Sequence, residues 1–204
     1  MMNSNGLLLV FSGPSGAGKG TVLKELLGSN ENMKLSVSAT TRLPRQGECH
    51  GVHYFFMTKD EFEAQIANGQ MLEHAEYCGK YYGTPARQIM DWISGGSDVV
   101  LEIEVQGARQ IKEKQPDCIS IFVLPPSLEE LEKRLRLRGT EDEDTIQKRL
   151  AVAKQEMETA KDYDYVIVND TVAHTVAQIN QIITAEKLKA SHAKKTIEGV
   201  IKDD

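Results

Sequence analysis

The sequence holds only three cysteines, Cys49, Cys78 and Cys118, and no CxxC pair. So sparse and odd a set excludes a disulfide framework and reads as the reduced thiols of a cytoplasmic protein. Long hydrophobic runs are also lacking. The longest, Leu7–Phe11, falls far short of the roughly 18 residues that suggest a membrane span. Met1–Gly6 has neither a basic start nor an apolar stretch of signal length, so no secretory leader is expected. Positive charge is in deficit, with 24 basic against 30 acidic side chains and a net charge of −6. That balance argues against a protein that coats nucleic acid or an anionic membrane, because either partner needs a basic face. An anionic small molecule remains open, since it needs only local positive charge.

What is present suits one sizeable domain. The 204 residues are 40% hydrophobic and 26% charged, ordinary values for a globular chain that can bury its own core. Short Val-, Ile- and Leu-rich runs at Leu7–Ser12, Asp98–Glu104, Cys118–Leu124 and Tyr165–Val168 are predicted strands. Between and beyond them, helical patterns cover Lys19–Leu27, Pro85–Ser94, Gln106–Lys114, Ser127–Leu137, Glu143–Lys161 and Val172–Ala190. Strands separated by helices predict an α/β fold with a parallel sheet covered on both faces.

Two stretches break this alternation. Residues 35–84 contain short β-like pieces at Ser36–Ala39, Val52–Phe56, Met71–Glu76 and Lys80–Tyr82, with a helix over Lys59–Ala67. Thr58 and Glu61 stand at capping-box spacing before that helix. This reads as a small mixed α/β subdomain inserted into the core. Residues 127–161 read as helical and densely charged, with Ser127 and Glu130 as a second capping box and a polar centre over Gly139–Asp144 that is expected to be mobile. The remaining core is 1–34, 85–126 and 162–204, with Ser191–Asp204 expected to fray.

The strongest motif follows the first strand. Gly13, Pro14, Ser15, Gly16, Ala17, Gly18, Lys19, Gly20 and Thr21 fit the phosphate-loop pattern in its strand–loop–helix setting. Glycines let successive N–H groups turn inward around phosphate oxygens, the helix N-terminus adds partial positive charge, and Lys19 adds a full one. Gly20 stands where the general motif carries a Ser or Thr that ligates Mg²⁺. Thr21 is the candidate Mg²⁺ ligand instead, directly or through a water.

Downstream, Ser36–Glu48 places Arg42 and Arg45 on either side of Pro44 in a turn-rich stretch. Guanidinium forks grip phosphate bidentately. Tyr54 and Tyr82-Gly83-Thr84 would add hydroxyl partners to a second phosphate site.

At this point the chain resembles the guanylate kinase family. The matching pieces are Gly13–Thr21, Ser36–Glu48, Gly51–Phe56, Glu73, Tyr81–Thr84, Glu102–Gly107, Arg134–Thr140 and Arg149, in the family's order and spacing. The resemblance implies a P-loop NTPase core, an inserted GMP-binding subdomain over 35–84 and a helical lid over 127–161. It also implies transfer of the γ-phosphoryl of ATP to GMP, giving ADP and GDP. Arg42, Arg45, Tyr54 and Tyr82 would clamp the GMP phosphate, with Glu48 orienting the arginines. Ser38, Glu73, Thr84 and Glu104 would form the guanine pocket. Guanine presents N1–H and N2–H₂ donors beside its O6 acceptor, so a carboxylate at Glu73 can accept while Ser38 donates.

Glu102 and Glu104 alternate along the predicted strand and are expected on one face of it. The family often carries Asp at the second position, and Glu104 is one methylene longer. The resemblance gives Arg134, Arg138 and Arg149 to the ATP phosphates and the moving group. A plain Glu130–Arg134 surface pair is the competing reading. Asn169 and Asp170, after the Tyr165–Val168 strand, match a family position near adenine. Cys49, His50 and His53 lack a fourth ligand for a metal site, and Trp92 reads as helix packing.

Expected partners are therefore ATP and GMP, with no nucleic acid or membrane, and with a homo-oligomer left open. Two alternatives stand beside this reading. A kinase for another nucleoside monophosphate, such as AMP, would share the loop. A catalytically silent interaction module would share the fold, usually with a damaged loop.

Overall fold

The computed structural model describes residues 6–77, 79–137, 142–191 and 194–202. The first layer is built on β1 (Leu8–Ser12), whose alternation sends Leu9 and Phe11 to one face and Leu8 and Val10 to the other. The chain continues through α1 (Lys19–Gly28), β2 (Met33–Leu35), β3 (Ala39–Thr40), β4 (Phe55–Phe56) and α2 (Lys59–Ala67). Then come β5 (Met71–Tyr77), β6 (Lys80–Pro85), α3 (Ala86–Ser94), β7 (Asp98–Glu102), α4 (Val105–Lys114) and β8 (Ile119–Leu124). The last elements are α5 (Leu128–Leu137), α6 (Glu143–Glu158) with a 3₁₀ turn at Thr159–Asp162, β9 (Tyr165–Val168), α7 (Val172–Lys187) and α8 (Lys194–Lys202).

Five strands form a parallel sheet in the order β2-β7-β1-β8-β9. Helices α1 and α7 close one face around Phe11, Ile121, Val123 and Ile179, while α3 and α4 close the other around Val10, Leu101, Ile89 and Ile111. Trp92 packs against the second cluster, as its helical setting predicts. Because the strands are parallel, the ends of β1, β7, β8 and β9 open onto one crevice, where ligands bind in such sheets. At the opposite end, Asp98 is tied by the Leu7 N–H at 3.0 Å and by Lys187 Nζ at 2.6 Å.

A second sheet, in the order β4-β3-β6-β5, has its own small core of Ala39, Phe62 and Met71. Its helix α2 starts on the complete capping box of Thr58 and Glu61 that the spacing predicts. The Ser127 hydroxyl caps the Glu130 N–H at 3.1 Å, but Glu130 turns to Arg134 rather than closing its box. Helices α5 and α6 pack through Leu131, Leu135, Ile146 and Leu150. No described helix is long and apolar enough to cross a membrane.

One expectation is corrected, and two elements are added. The strand expected over Asp98–Glu104 ends at Glu102, and Glu104 is the residue before the first turn of α4, so the two carboxylates do not share a strand face. The tail expected to fray contains α8, whose Ile197, Val200 and Ile201 recur at helical spacing. Finally, β2 adds an edge strand to the main sheet that the sequence reading left out; only Met33 of its three residues is buried.

Candidate active site

The phosphate loop leaves β1 at Gly13 and enters α1 at Lys19. Three of its glycines are required by geometry. Gly13, Gly16 and Gly18 have φ of 145°, 93° and 90°, values that side-chain-bearing residues seldom adopt. Space is equally restricted. A Cβ would lie 2.3 Å from the Val123 carbonyl oxygen at Gly13, 2.8 Å from Leu131 Cδ1 at Gly16 and 2.4 Å from Asn169 Nδ2 at Gly18. Gly20 differs: a Cβ there meets nothing within 4 Å. Lys19 folds back over the loop, donating to the Gly13 and Pro14 carbonyls at 2.5 and 3.2 Å. Those contacts pre-position its ammonium beside the cradle formed by the loop.

The Ala17 carbonyl is a meeting point. Asn169 Nδ2 donates to it at 2.7 Å and Arg134 Nη1 at 3.4 Å, while the Thr175 hydroxyl bonds Asn169 Oδ1 at 3.1 Å. Asn169, expected beside adenine, is buried and has its amide engaged by the loop backbone. Arg134 also pairs with Glu130 at 3.0 Å, so the surface pair and the approach to the loop are both present. Arg149 lies half-buried on α6. Arg138, Gly139 and Thr140 lie outside the described residues.

Around Lys19 the crevice gathers carboxylates. Glu102 ends β7, and its carboxyl pKa is raised, chiefly by burial, with Lys19 pulling the other way. Glu156, from α6, is raised by burial and by the charge of Glu104, again opposed by Lys19. The sequence reading missed Glu156, which looked like any charge on a polar helix. Thr21 is exposed in the first turn of α1. Hydroxyl and carboxylate oxygens suit a hard divalent cation. Among the described residues no three His, Cys, Asp or Glu groups form a cage, so such an ion would take most of its ligands from phosphates and water. His53, once a candidate ligand, accepts the Cys49 N–H at 3.0 Å.

On the second sheet, side chains hold other side chains. Arg42 makes a fork-to-fork pair with Glu48, two N–H···O bonds of 2.9 Å, and its guanidinium lies 5.4 Å from the Tyr54 ring centre. Glu48 also accepts the Arg45 N–H at 2.7 Å. These bonds hold the Glu48 carboxyl down at about 2, with Arg42 the largest cause. Tyr54 and Tyr82 meet edge to face at 6.2 Å, and the Arg42 pKa is raised, chiefly by its pairing with Glu48. Arg42, Glu48, Tyr54 and Tyr82 are thus one cluster, with Arg45 exposed at its margin.

Nearer the main sheet, Glu73 on β5 faces Thr84 on β6 in register, and the Thr84 hydroxyl donates to Glu73 Oε1 at 2.6 Å. Both residues are buried. Burial raises the Glu73 pKa, opposed by the Thr84 bond and by Lys114. Ser38 is half-buried just before β3, and its carbonyl accepts the Phe55 N–H at 2.8 Å. Glu104 is exposed ahead of α4 and has no cap bond to that helix.

Comparison with known proteins bears on the whole chain. A model of the guanylate kinase family matches residues 5–186. The guanylate kinase of Clostridioides difficile (strain 630) is 53% identical over 204 residues, covering all of both chains. That of Desulfitobacterium hafniense (strain Y51) is 50% identical over 200 residues, covering 98% of this chain and all of the other. The crystal structure of guanylate kinase from Anaplasma phagocytophilum superposes with a TM-score of 0.74 at 38% identity, over 94% of this chain and 92% of that one. With the loop, the two sheets and the matched span in agreement, the chain belongs to the guanylate kinase family.

Proposed function

We propose that this chain catalyses the family's reaction, transferring the γ-phosphoryl of ATP to GMP to give ADP and GDP. The observation that carries the choice of acceptor is the buried Glu73 carboxylate held by Thr84. A carboxylate can accept from the N1–H and N2–H₂ edge of guanine, whereas adenine would present an unpaired acceptor at N1. Sites built on such bonds discriminate strongly against the wrong base. Ser38 would donate to O6, and Glu104 would approach the same pocket from the start of α4.

The phosphates divide between two clusters. Gly13 through Thr21 cradle ATP, with Lys19 on its outer phosphates. Arg134, Arg138 and Arg149 neutralise charge on the moving group. Arg42, Arg45, Tyr54 and Tyr82 hold the GMP phosphate in line, and Glu48 fixes the Arg42 fork. In-line transfer needs little covalent help from protein, so positioning and charge neutralisation carry the rate. Mg²⁺, when bound with ATP, would supply further charge neutralisation, held by Thr21, by Glu102 and by the nucleotide's own phosphates. Residues 35–84 would act as the GMP-binding subdomain and 127–161 as the lid, closing to exclude water that would otherwise accept the phosphoryl group. The free thiols of Cys49 and Cys118 support a reducing, cytoplasmic workplace.

The test is ADP release with ATP and Mg²⁺ in the presence of GMP, AMP, CMP or UMP in turn. Turnover with GMP alone is expected. Turnover with AMP would overturn the acceptor assignment, and none with any acceptor would favour a binding module.

A further inference from the structure

Strand β5, which carries Glu73, is an edge strand, with β6 on one side only. Its other edge runs along α4. Gly107, Gln110 and Lys114 recur at spacings of three and four along that helix, so they share a face. Each of them meets β5. Gln110 donates from Nε2 to the His74 carbonyl at 2.9 Å and accepts the His74 N–H on Oε1 at 3.2 Å. One side-chain amide thereby does for His74 what a neighbouring strand would do. Lys114 Nζ donates to the Met71 carbonyl at 3.2 Å. Gly107 is buried where a Cβ would lie 2.8 Å from Glu73 Oε2 and 3.2 Å from its Cδ. With Thr84 holding Oε1 and the bare backbone of Gly107 behind Oε2, the carboxylate is fixed from both sides.

We propose that Gly107 and Gln110 are positioning residues that set base selectivity. Gln110 locks β5 against α4, and Gly107 leaves the room in which the Glu73 carboxylate takes its orientation. The inference rests on Glu73 reading guanine, and it adds that the core helix, not the acceptor sheet alone, aims that reader. Neither residue need touch a nucleotide. A displaced carboxylate would lose donors specific to guanine while leaving the ATP site intact, because the Lys19, Arg134 and Asn169 bonds that hold the phosphate loop come from elements other than α4.

The informative variant is Gly107→Ala, since alanine favours a helix more than glycine does. Its added methyl pushes on the carboxylate tip rather than on backbone. The KM for GMP should rise about tenfold, the scale of one weakened hydrogen bond to a charged group, with the KM for ATP and the thermal midpoint retained. Gln110→Leu, which keeps the bulk and loses both bonds to His74, should act in the same direction. The decisive readout is the ratio of kcat/KM for GMP to that for IMP, which lacks the 2-amino group. Carboxylate displacement narrows this ratio, whereas general loosening lowers both values together. Glu73→Gln is measured in parallel. If it leaves the GMP/IMP ratio unchanged, the guanine reading itself fails. If it narrows the ratio while Gly107→Ala and Gln110→Leu do not, the α4 proposal alone is overturned. A fall in thermal midpoint with GMP and ATP affected alike would also overturn it.

Discussion

The phosphate loop and the Arg42–Glu48 cluster both suit a phosphate group, but they are made of different materials. The loop is main chain, shaped by three positive-φ glycines and pressed against Val123, Leu131 and Asn169. The arginine cluster is side chain upon side chain, a fork pair leaning on Tyr54 and Phe56. A backbone site fails when volume is added to it. A side-chain site fails when charge is taken away. The first takes its precision from the core, and the second has to supply its own through Glu48.

The largest expected effect removes the one full charge that the loop contributes. Lys19→Met should cut kcat at least about a hundredfold, the scale for losing one preorganised charge donor. Far-UV circular dichroism and the thermal midpoint should stay close to the parent, because glycines and packing hold the cradle. Near-parental turnover would erase the division between shape and charge. Next in size, Glu48→Gln should raise the KM for GMP about tenfold, since the Arg42 fork loses its charged partner, with the KM for ATP unchanged.

Acid should reproduce that variant in the parent. The Glu48 carboxyl is lowered from 4.5 to about 2. Its contribution is therefore complete above about pH 4.5 and fades as pH falls towards 2. A thermal-midpoint difference between parent and Glu48→Gln should be constant above that window and shrink within it. A gap that widened on acidification would contradict the sign. The smallest effect is expected at Gly20→Ser. The position is open and helical, so ATP turnover should stay within about threefold and the thermal midpoint should hold or rise slightly. A collapse there would mean that the loop tolerates no addition anywhere, which would sharpen the contrast with the arginine cluster further.

What was legible in the sequence follows the same division. The loop is contiguous, so Gly13–Thr21 could be read from spacing, and the Thr58–Glu61 box marked the start of α2 to the residue. Arg42, Glu48 and Tyr54 lie within a short stretch and were grouped through the family resemblance. Glu104 was misplaced because an apolar Ile103 between two glutamates imitates strand alternation, while the chain in fact turns into α4. The bond from Asn169 to the Ala17 carbonyl was not legible because the two lie 152 residues apart and the acceptor belongs to the backbone. Gly107 closed a matched piece without a role of its own, and Gln110 gave no signal at all. An amide that substitutes for a strand and a hydrogen that makes room for a carboxylate acquire meaning only once β5 lies beside α4.

Among the described residues the Ala17 carbonyl has two side-chain holders, and Arg134 alone of them sits on the helical arm that would swing. If α5 moves away between turnovers, Arg134 leaves with it, but Asn169 is rooted beside β9 and braced by Thr175. The arrangement works like a vice with one fixed jaw. A jaw that moved in this way would release product without the workpiece losing its alignment, and each cycle would start from a cradle already built.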